Sequence, residues 1–521
     1  MKTSVLVWRV LALCVLALAF GISVYRARIQ AIGHDEAEEY DTFLDGGVYH
    51  VLAYNPANHV LFTLSAKPIV WALGVREFTL RIPSLIGAAL YLGAIYLLCR
   101  RLFVDGVVLF LSVAMLCFNP QILDFMSAAR GYILGLGCLS VGMYILARLA
   151  DRGRFQPDDK YWCWGCALVS TFLALSVVAN FTNVVPAAAL MLSFATVALG
   201  SFSALVKFRD RALRTFAQYS VVPGVVVGFS ILWPYLLQAR LGHFKINMDR
   251  ASDALQDTFA ASFLYKWTDD MYGSAISAVS PLPGSWQQIV LNLGTYVLLP
   301  FLFLFVLVGL VLKSRARSEP TTSRDAYCLI FGRSAIASVA LIALLHAGAK
   351  IDYPLSRYCL FLIPLFTISS LLLGREFSAR FPQLHLEGAG VVLSVIVICD
   401  YGLSVQTKYF RYNAYDVISR SIYQTIADDA RSRGLVNVRV GGTWWYEPEV
   451  NFYRISRHAD WMLPYDVKDH SYWWQSPNSL EPAEYDYFVF TPASDPGLAG
   501  PRVRTIFQDR PTGITIEAIY K

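Results

Sequence analysis

Residues 10–40, VLALCVLALAFGISVYRARIQAIGHDEAEEY, join a long apolar run to a dense group of acids. With the residues before it, the run that ends near Tyr25 reaches the length of about 20 residues that a membrane-spanning helix needs. His34 and four carboxylates follow within the acidic segment Ile32–Tyr40, namely Asp35, Glu36, Glu38 and Glu39. Carboxylates beside hydrocarbon are costly to desolvate. The acidic segment is therefore predicted either to lie in open solvent or to carry out chemistry at the membrane interface.

The composition of the whole chain is that of a membrane protein. Of its 521 residues, 56% are hydrophobic and only 16% are charged, and the mean hydropathy is +0.46. A net charge of +6 in such a chain indicates basic cytoplasmic loops. No basic and aromatic pattern of a nucleic-acid-binding protein accompanies it, so no nucleic-acid partner is expected. The nine cysteines lie in or at the ends of apolar segments, which argues against a disulfide framework.

Hydropathy predicts about eleven transmembrane helices. The first could be a signal peptide, but a signal anchor fits better because no small-residue cleavage site follows the apolar run cleanly. Val60–Leu73 is short and contains Lys67 and Pro68, which favours an interfacial or re-entrant piece. The other spans are predicted at Leu80–Cys99, Val107–Asn119, Tyr132–Ala147, Tyr161–Ala179, Val184–Leu205, Ala217–Leu237, Ile289–Leu312, Ser334–His346, Tyr358–Leu373 and Val391–Leu403.

Charge in the loops predicts the orientation. With the N-terminus in the cytoplasm, every second loop is short and basic, as the positive-inside rule requires. The first loop (26–58), the long loop (238–288) and the C-terminal region then lie outside the cytoplasm. We therefore expect a polytopic α-helical domain over residues 1–405 and a small extracytoplasmic α/β domain over residues 406–521. A bacterial inner membrane is the expected location.

The C-terminal region has the patterns of both strands and helices. Val436–Gly441 and Tyr485–Thr491 are rich in β-forming residues, and Tyr415–Ala430 is amphipathic. Its many aromatic residues could stack on sugar rings, sit at a membrane interface or simply pack in a core. They include Trp444, Trp445, Tyr446, Trp461, Tyr472, Trp473 and Trp474.

The charged residues of the membrane domain gather at the outer ends of the predicted helices. Apart from their ends, the spans contain essentially no Asp, Glu or Lys, which weakens the case for an ion-coupled transporter. The outer loop–helix junctions instead carry Asp35, Glu36, Lys67, Arg81, Asp124, Arg130, Lys350, Asp352 and Arg357. Such an arrangement suits a reaction on a lipid that has an anionic head group.

Several short motifs occur in a characteristic order. Asp35-Glu36 comes first, then NPANHVL (Asn55–Leu61), GVREFTLRIPS (Gly74–Ser84), AARGY (Ala128–Tyr132) and PLSRY (Pro354–Tyr358). Their order and spacing resemble the bacterial GT-C glycosyltransferases, which include protein O-mannosyltransferase-like enzymes of glycosyltransferase family 39 and aminoarabinose-transferase-like enzymes. The resemblance covers roughly residues 1–150 and 340–375, and the middle of the chain matches only in hydropathy.

The resemblance implies roles for particular residues. In that family an acid of the first outer loop activates the acceptor, which makes Asp35 the expected base, with Glu36 as its helper. Basic residues hold the phosphate of a polyprenyl-phosphate sugar donor, a task that suits arginine better than lysine. The donor-binding set would contain His59, Arg81, Arg130, Tyr132, Lys350, Arg357 and Tyr358. Many members have an acid where this chain has Ala129, so Asp124 is the expected substitute.

Plainer explanations exist for the same residues. Arg81 could anchor its helix, Arg130 and Arg357 could reach lipid head groups, and His59 could be an interfacial hydrogen-bonding residue. Glu38, Glu39 and Asp41 are expected to form a solvated face. No metal or other cofactor is expected, although an Asp35 and Glu36 pair could bind a divalent cation.

The sequence thus predicts an inverting membrane glycosyltransferase. It would move a sugar from a polyprenyl-phosphate carrier to an extracytoplasmic acceptor, which could be a protein, a lipid or a polysaccharide. The alternative is a non-catalytic flippase or transporter of a lipid-linked sugar or polymer. A sensor or scaffold is a third possibility, and it predicts that Asp35 and Arg357 lie far apart.

Overall fold

The computed structural model describes residues 2–52, 55, 57–104, 106–200, 211–238, 250–263, 284–316, 322–354, 356–410, 416–465, 484–490, 501–510 and 513–520. Within these residues, ten helices are long and apolar enough to cross a membrane. Runs rich in Leu, Val and Ala become helices there because lipid offers no hydrogen-bond partner, so each backbone group must be paired within its own segment. The protein is a multi-pass membrane protein, as predicted.

The helices of the membrane domain are numbered in chain order. They are α1 (Lys2–Ile29), α2 (His34–Glu39), α3 (Val48–Val51), α4 (Val60–Leu73), α5 (Glu77–Leu102), α6 (Gly106–Cys117), α7 (Pro120–Phe125), α8 (Tyr132–Ala150), α9 (Lys160–Ala179), α10 (Val184–Ala198), α11 (Arg211–Ser220), α12 (Val222–Gln238), α13 (Ala251–Phe263), α14 (Gly284–Leu293), α15 (Leu299–Ala316), α16 (Ser323–Ala349), α17 (Leu362–Arg380) and α18 (Leu386–Ser404).

Two apolar helices are too short to cross a bilayer on their own. Val60–Leu73 forms α4, in keeping with its prediction as a short piece. The predicted span Val107–Asn119 forms α6, whose 12 residues extend only about 18 Å. This helix ends early because Asn119 and Pro120 begin α7, where Asn119 Oδ1 accepts a hydrogen bond from the Ile122 amide at 3.2 Å.

Glycines bring helices α5 and α8 into very close contact. A Cβ atom at Gly87 would lie 2.6 Å from the backbone of Leu134, and one at Gly137 would lie 2.6 Å from Gly87 O. Near the start of the two helices, Ser84 Oγ donates a hydrogen bond to Arg130 O at 3.1 Å. The close approach therefore places the AARGY segment directly against the first turns of α5.

The C-terminal region folds as a small α/β domain, as predicted. Its helices are α19 (Ser419–Ser432) and α20 (Glu447–Ser456), and its strands are β1 (Val440–Gly442), β2 (Tyr487–Phe490), β3 (Val503–Gln508) and β4 (Thr515–Ile519). The strand order is β1-β2-β4-β3, with β1 and β2 parallel and the other pairs antiparallel. Tyr472, Trp473, Trp474 and most of the long loop 238–288 lie outside the described residues.

The C-terminal domain shares a hydrophobic core with the acidic segment. Ile32, Ala37 and Tyr40 are buried in one cluster with Val450 and Tyr453 of α20. The rings of Tyr40 and Phe452 meet edge to face, with 5.5 Å between their centroids. The acidic segment is therefore enclosed between the membrane helices on one side and the C-terminal domain on the other.

Candidate active site

Asp35 lies in the first turn of α2 and contacts two arginines. Arg357 Nη1 donates to Asp35 Oδ2 at 2.9 Å, and Arg130 Nη1 donates to the backbone oxygen of Asp35, also at 2.9 Å. The Asp35 side chain is 26% exposed and that of Arg357 is 19% exposed. The structure thus brings together three residues that the sequence placed 95 and 322 positions apart, which contradicts the expectation from the scaffold hypothesis.

The two arginines keep Asp35 ionised. Burial alone would raise the pKa of this carboxyl, but the guanidinium groups of Arg357 and then Arg130 outweigh burial and lower the pKa to about 2. Asp35 is therefore a carboxylate at every physiological pH. The same pairing makes it a poor proton acceptor as long as Arg357 stays bound to it.

Three buried polar atoms beside Asp35 have no hydrogen-bond partner among the described residues. They are Arg130 Nε, His59 Nε2 and Tyr132 Oη. The His59 and Tyr132 rings are 4.5 Å apart, Tyr132 lies 5.9 Å from Tyr358, and the Arg357 guanidinium lies 5.3 Å from the Tyr358 ring centre. Because buried polar groups are almost always satisfied, these three atoms are candidates to bind polar groups of a ligand.

His59 contributes an acceptor to this cluster. Its Nδ1 faces Ala179 O at 3.0 Å, and since a carbonyl only accepts, Nδ1 carries the proton. Burial and the nearby Arg130 lower the pKa of His59 well below its usual value, so the ring is neutral. Its Nε2 therefore has a free lone pair that can accept a hydrogen bond from a hydroxyl group.

Glu39 is a member of the site that the sequence analysis missed. We expected it on a solvated face, but its side chain is fully buried. Glu39 Oε1 accepts a 2.7 Å hydrogen bond from Thr63, and Oε2 lies 3.2 Å from Arg130 Nη1. Burial raises the pKa of Glu39 to about 7 in spite of Arg130 and Thr63. The prediction was wrong because the partners lie 24 and 91 residues away and the local sequence looks polar.

Gly131 fixes the position of Arg130 and Tyr132. A Cβ atom at this position would overlap Ala179 O and approach His59 Cβ to 2.6 Å. Glycine is therefore the residue that lets the AARGY segment lie against α9 and the His59 side chain.

We expect Gly131→Ala to lower the melting temperature by several degrees, corresponding to about 1–3 kcal/mol of overpacking. Thermal unfolding in detergent checks this, and an unchanged value, matching that of the open-space control Gly93→Ala, would contradict it.

Glu36 and Arg81 form a structural pair next to the site. Arg81 is fully buried and donates to both oxygens of Glu36 and to the backbone oxygens of Ala27, Gln30 and Ala31. Glu36 also accepts from the Gly33 and Ala129 amides. Both side chains are committed to these contacts, so the geometry favours helix anchoring over the expected roles of catalytic helper and phosphate ligand.

Two other residues predicted for the site, Asp124 and Lys350, have partners outside the cluster around Asp35. Asp124 is buried and paired with Arg26 of α1, and this pair links α1 to α7. Lys350 is exposed at the end of α16, where its backbone has a φ of 52° and its amide donates to His346 O at 3.0 Å. Neither residue makes a described contact with Asp35, Arg130 or Arg357.

The expected alternative of a divalent cation between Asp35 and Glu36 does not fit their contacts. Each carboxylate is already paired with an arginine, Arg357 and Arg81 respectively. Over the described part of the chain, no group of three or more His, Cys, Asp or Glu side chains has the arrangement of a metal site.

The chain was compared with family models, with curated proteins and with solved structures, and similar proteins were found among the solved structures. No family model matches the sequence, and no curated protein matches it. Among solved structures, the chain is similar to ArnT from Cupriavidus metallidurans bound to undecaprenyl phosphate, with 14% identity, 98% of each chain covered and a TM-score of 0.49. It is also similar to the Archaeoglobus fulgidus oligosaccharyltransferase in complex with Zn and sulfate, with 12% identity, a TM-score of 0.45, and 92% of this chain and 68% of that one covered.

A third similar structure is AglB from Archaeoglobus fulgidus in complex with an inhibitory peptide and a dolichol-phosphate. Its identity is 12% and its TM-score 0.43, over 92% of this chain and 69% of that one. Identities and TM-scores at this level assign no residue a role.

Proposed function

We propose that the protein is a membrane glycosyltransferase that uses a polyprenyl-phosphate-linked sugar as donor and an extracytoplasmic acceptor. The observation that carries the proposal is the contact of Asp35 with Arg357 and Arg130 beside the unpartnered polar atoms of His59 and Tyr132. This one site combines a carboxylate, two cations and hydrogen-bonding atoms that have no partner among the described residues. These are the groups that a sugar phosphate and an acceptor hydroxyl require.

In the proposed reaction the donor phosphodiester binds to Arg357 and Arg130. The acceptor O–H or N–H gives its proton to Asp35 as the acceptor atom attacks the anomeric carbon. The bond between the anomeric carbon and the phosphate oxygen breaks on the opposite face, so the configuration inverts and polyprenyl phosphate leaves. Arg357 and Arg130 stabilise the charge that grows on the leaving phosphate. Tyr132 and His59 offer a donor and an acceptor to the sugar hydroxyls.

Binding of the donor would also make Asp35 a better base. In the structure Arg357 is bound to Asp35 and holds the pKa of that carboxyl near 2. A phosphate that takes over Arg357 removes this partner, and the pKa of Asp35 then rises because the charge that lowers it most has been withdrawn. Proton abstraction is thereby linked to the presence of the donor, which protects the site from activating an acceptor too early.

The direct test is an assay of the purified protein with a panel of polyprenyl-phosphate sugars. Release of free polyprenyl phosphate together with a glycosylated product is expected with one donor of the panel. A flippase predicts a different result, in which a fluorescent lipid-linked sugar crosses the membrane of proteoliposomes and no product forms. Lipid movement without transfer for every donor, in the presence of cell-envelope acceptors, would overturn the proposal.

Glu39 makes donor binding depend on pH. Because the pKa of Glu39 is raised to about 7, the carboxyl is neutral below this pH and charged above it. The charged form attracts Arg130 and weakens its pull on the donor, whose phosphodiester does not titrate in this range. We expect donor affinity to fall roughly threefold to tenfold between pH 6 and pH 8, or about 1 kcal/mol. Titration calorimetry with a non-transferable donor analogue measures the change.

The variant Glu39→Gln should remove this pH dependence, because its amide cannot ionise. The matched control is Asp41→Asn, since Asp41 is an exposed acid two residues further along the chain. The control should keep the wild-type pH dependence. A pH dependence that survives in Glu39→Gln would show that another group is responsible.

A further inference from the structure

The C-terminal domain holds the residues that immediately precede Asp35. Tyr453 Oη accepts a hydrogen bond from the Ile32 amide at 3.0 Å, and Ser419 Oγ donates to Ile32 O at 2.8 Å. The His34 amide donates to Asp416 Oδ2. The backbone at both positions is thus fixed by side chains that lie about 380 to 420 residues later in the sequence.

The side chain of His34 is directed into the same domain. Its Nδ1 donates to Trp445 O at 2.8 Å and lies 3.5 Å from Glu449 Oε2. The edge of the ring meets Trp444 and Trp445, with centroids 5.3 and 5.9 Å away. Burial opposes the charged form of His34, but Glu449, Asp416 and Asp35 outweigh it and raise the pKa to about 10. His34 is therefore a cation next to Asp35 in the chain.

Glu449 has unusual surroundings for a carboxylate. It is fully buried, and neither oxygen has a hydrogen-bond partner in the described part of the chain. Its ion pair with His34 is longer than an ordinary hydrogen bond. A buried carboxylate with so little support is a poor source of stability, because removing an ion from water is costly unless its partners compensate for it. The Ile32 hydrogen bonds and the shared apolar core already hold the C-terminal domain against the acidic segment. The burial of Glu449 therefore calls for a reason other than holding the two together.

We propose that Glu449 is a positioning residue that acts through His34 to hold Asp35 in its reactive place. The inference rests on the proposed function of Asp35. On one side of Asp35 the Glu449–His34 pair fixes the chain to the C-terminal domain. On the other side Glu36 is fixed to Arg81 of α5. The carboxylate between these two anchors is thereby held in front of Arg357, and the C-terminal domain becomes a working part of the site.

The test compares Glu449→Gln with the wild type in full-length protein. We expect kcat to fall on the order of tenfold to hundredfold, while KM for the donor changes less than about twofold, because a displaced catalytic group affects the reaction more than binding. The matched control is Asp428→Asn, which removes an exposed acid of the same domain whose only described ion pair is with Arg431. The control should keep wild-type kcat.

A pH profile separates positioning from a general loss of stability. In the wild type His34 stays charged from pH 6 to pH 9, because its pKa is near 10. Without the charge of Glu449, burial lowers this pKa toward the neutral range, although Asp416 and Asp35 still face the ring. The ratio of Glu449→Gln kcat to wild-type kcat should therefore fall as the pH rises, while Glu449→Asp should restore a constant ratio.

The outcomes distinguish this inference from the proposed function. If Asp35→Asn abolishes transfer but Glu449→Gln has wild-type kcat, or a reduced kcat with a ratio that does not vary with pH, the positioning role is wrong and the function stands. If Asp35→Asn leaves transfer intact, the proposed function itself fails, and the inference fails with it.

Discussion

Replacement of Asp35 by asparagine is expected to lower the rate of sugar transfer by a factor on the order of 10² to 10⁴, the usual contribution of a general base. Asparagine has nearly the same shape, but its amide cannot take a proton from the acceptor. The contact of Arg130 with the backbone oxygen of residue 35 does not depend on the side chain, so the segment keeps its place. The measurement is the initial rate of product formation at saturating donor.

Donor binding provides the internal check on this variant. Loss of the Asp35 carboxylate frees Arg357 for the phosphate, so the donor should bind to Asp35→Asn as tightly as to the wild type or more tightly. The matched control, Asp41→Asn, changes an exposed acid directly after the acidic segment and should leave the rate unchanged. Wild-type turnover by Asp35→Asn would remove this residue as the base.

Replacement of Arg357 by glutamine should have its main effect on the donor. Charge-assisted hydrogen bonds are worth about 1.5–3 kcal/mol, so donor affinity should fall roughly tenfold to hundredfold. Arg357→Lys keeps the charge without the planar fork and should lie between the two. Because Arg357 is partly exposed at the edge of the site, the fold should survive the change. Calorimetry with a donor analogue measures the loss.

The pKa of Asp35 provides a second readout for the same variant. Arg357 is the charge that contributes most to keeping this pKa near 2, so Arg357→Gln should raise it. The low-pH limb of the kcat/KM profile should then move to higher pH in the variant than in the wild type. If donor affinity is unchanged and the limb does not move, Arg357 has no part in the site. Arg420→Gln is a suitable control, because the described ion pair of Arg420 is with Glu77 and does not involve Asp35.

The residues of the candidate site that could be selected from the sequence are those that stand out from an apolar chain. Asp35, Arg130 and Arg357 are charges at the ends of membrane helices, where charge is costly without a purpose, and the structure brings all three together. The membrane domain and the C-terminal α/β domain were predicted for the same reason, since hydropathy reports directly on the surroundings of a segment. These patterns are local and can be read without knowing which residues meet.

Predictions that depend on long-range contacts were less successful. Nothing near Glu39 distinguishes a buried acid from a solvated one, because burial depends on Thr63 and Arg130. Glu36 and Arg81 look like site residues in sequence, yet they satisfy each other across 45 positions. No sequence signal connects His34 with Glu449, since the pair exists only after two domains have met. The early end of α6 could have been anticipated from Asn119-Pro120.

The hydrogen bonds between the C-terminal domain and residues 32–34 have a consequence for biosynthesis. A nascent chain makes the acidic segment almost at once, but the side chains that secure it belong to residues 416–453. Most of the membrane helices must therefore be inserted before the first loop can take its final form. A ribosome-bound or truncated chain that stops before Asp416 would contain Asp35, Arg130 and Arg357 but lack these hydrogen bonds. The site around Asp35 can therefore reach its final geometry only after the C-terminal domain has been synthesised and has folded.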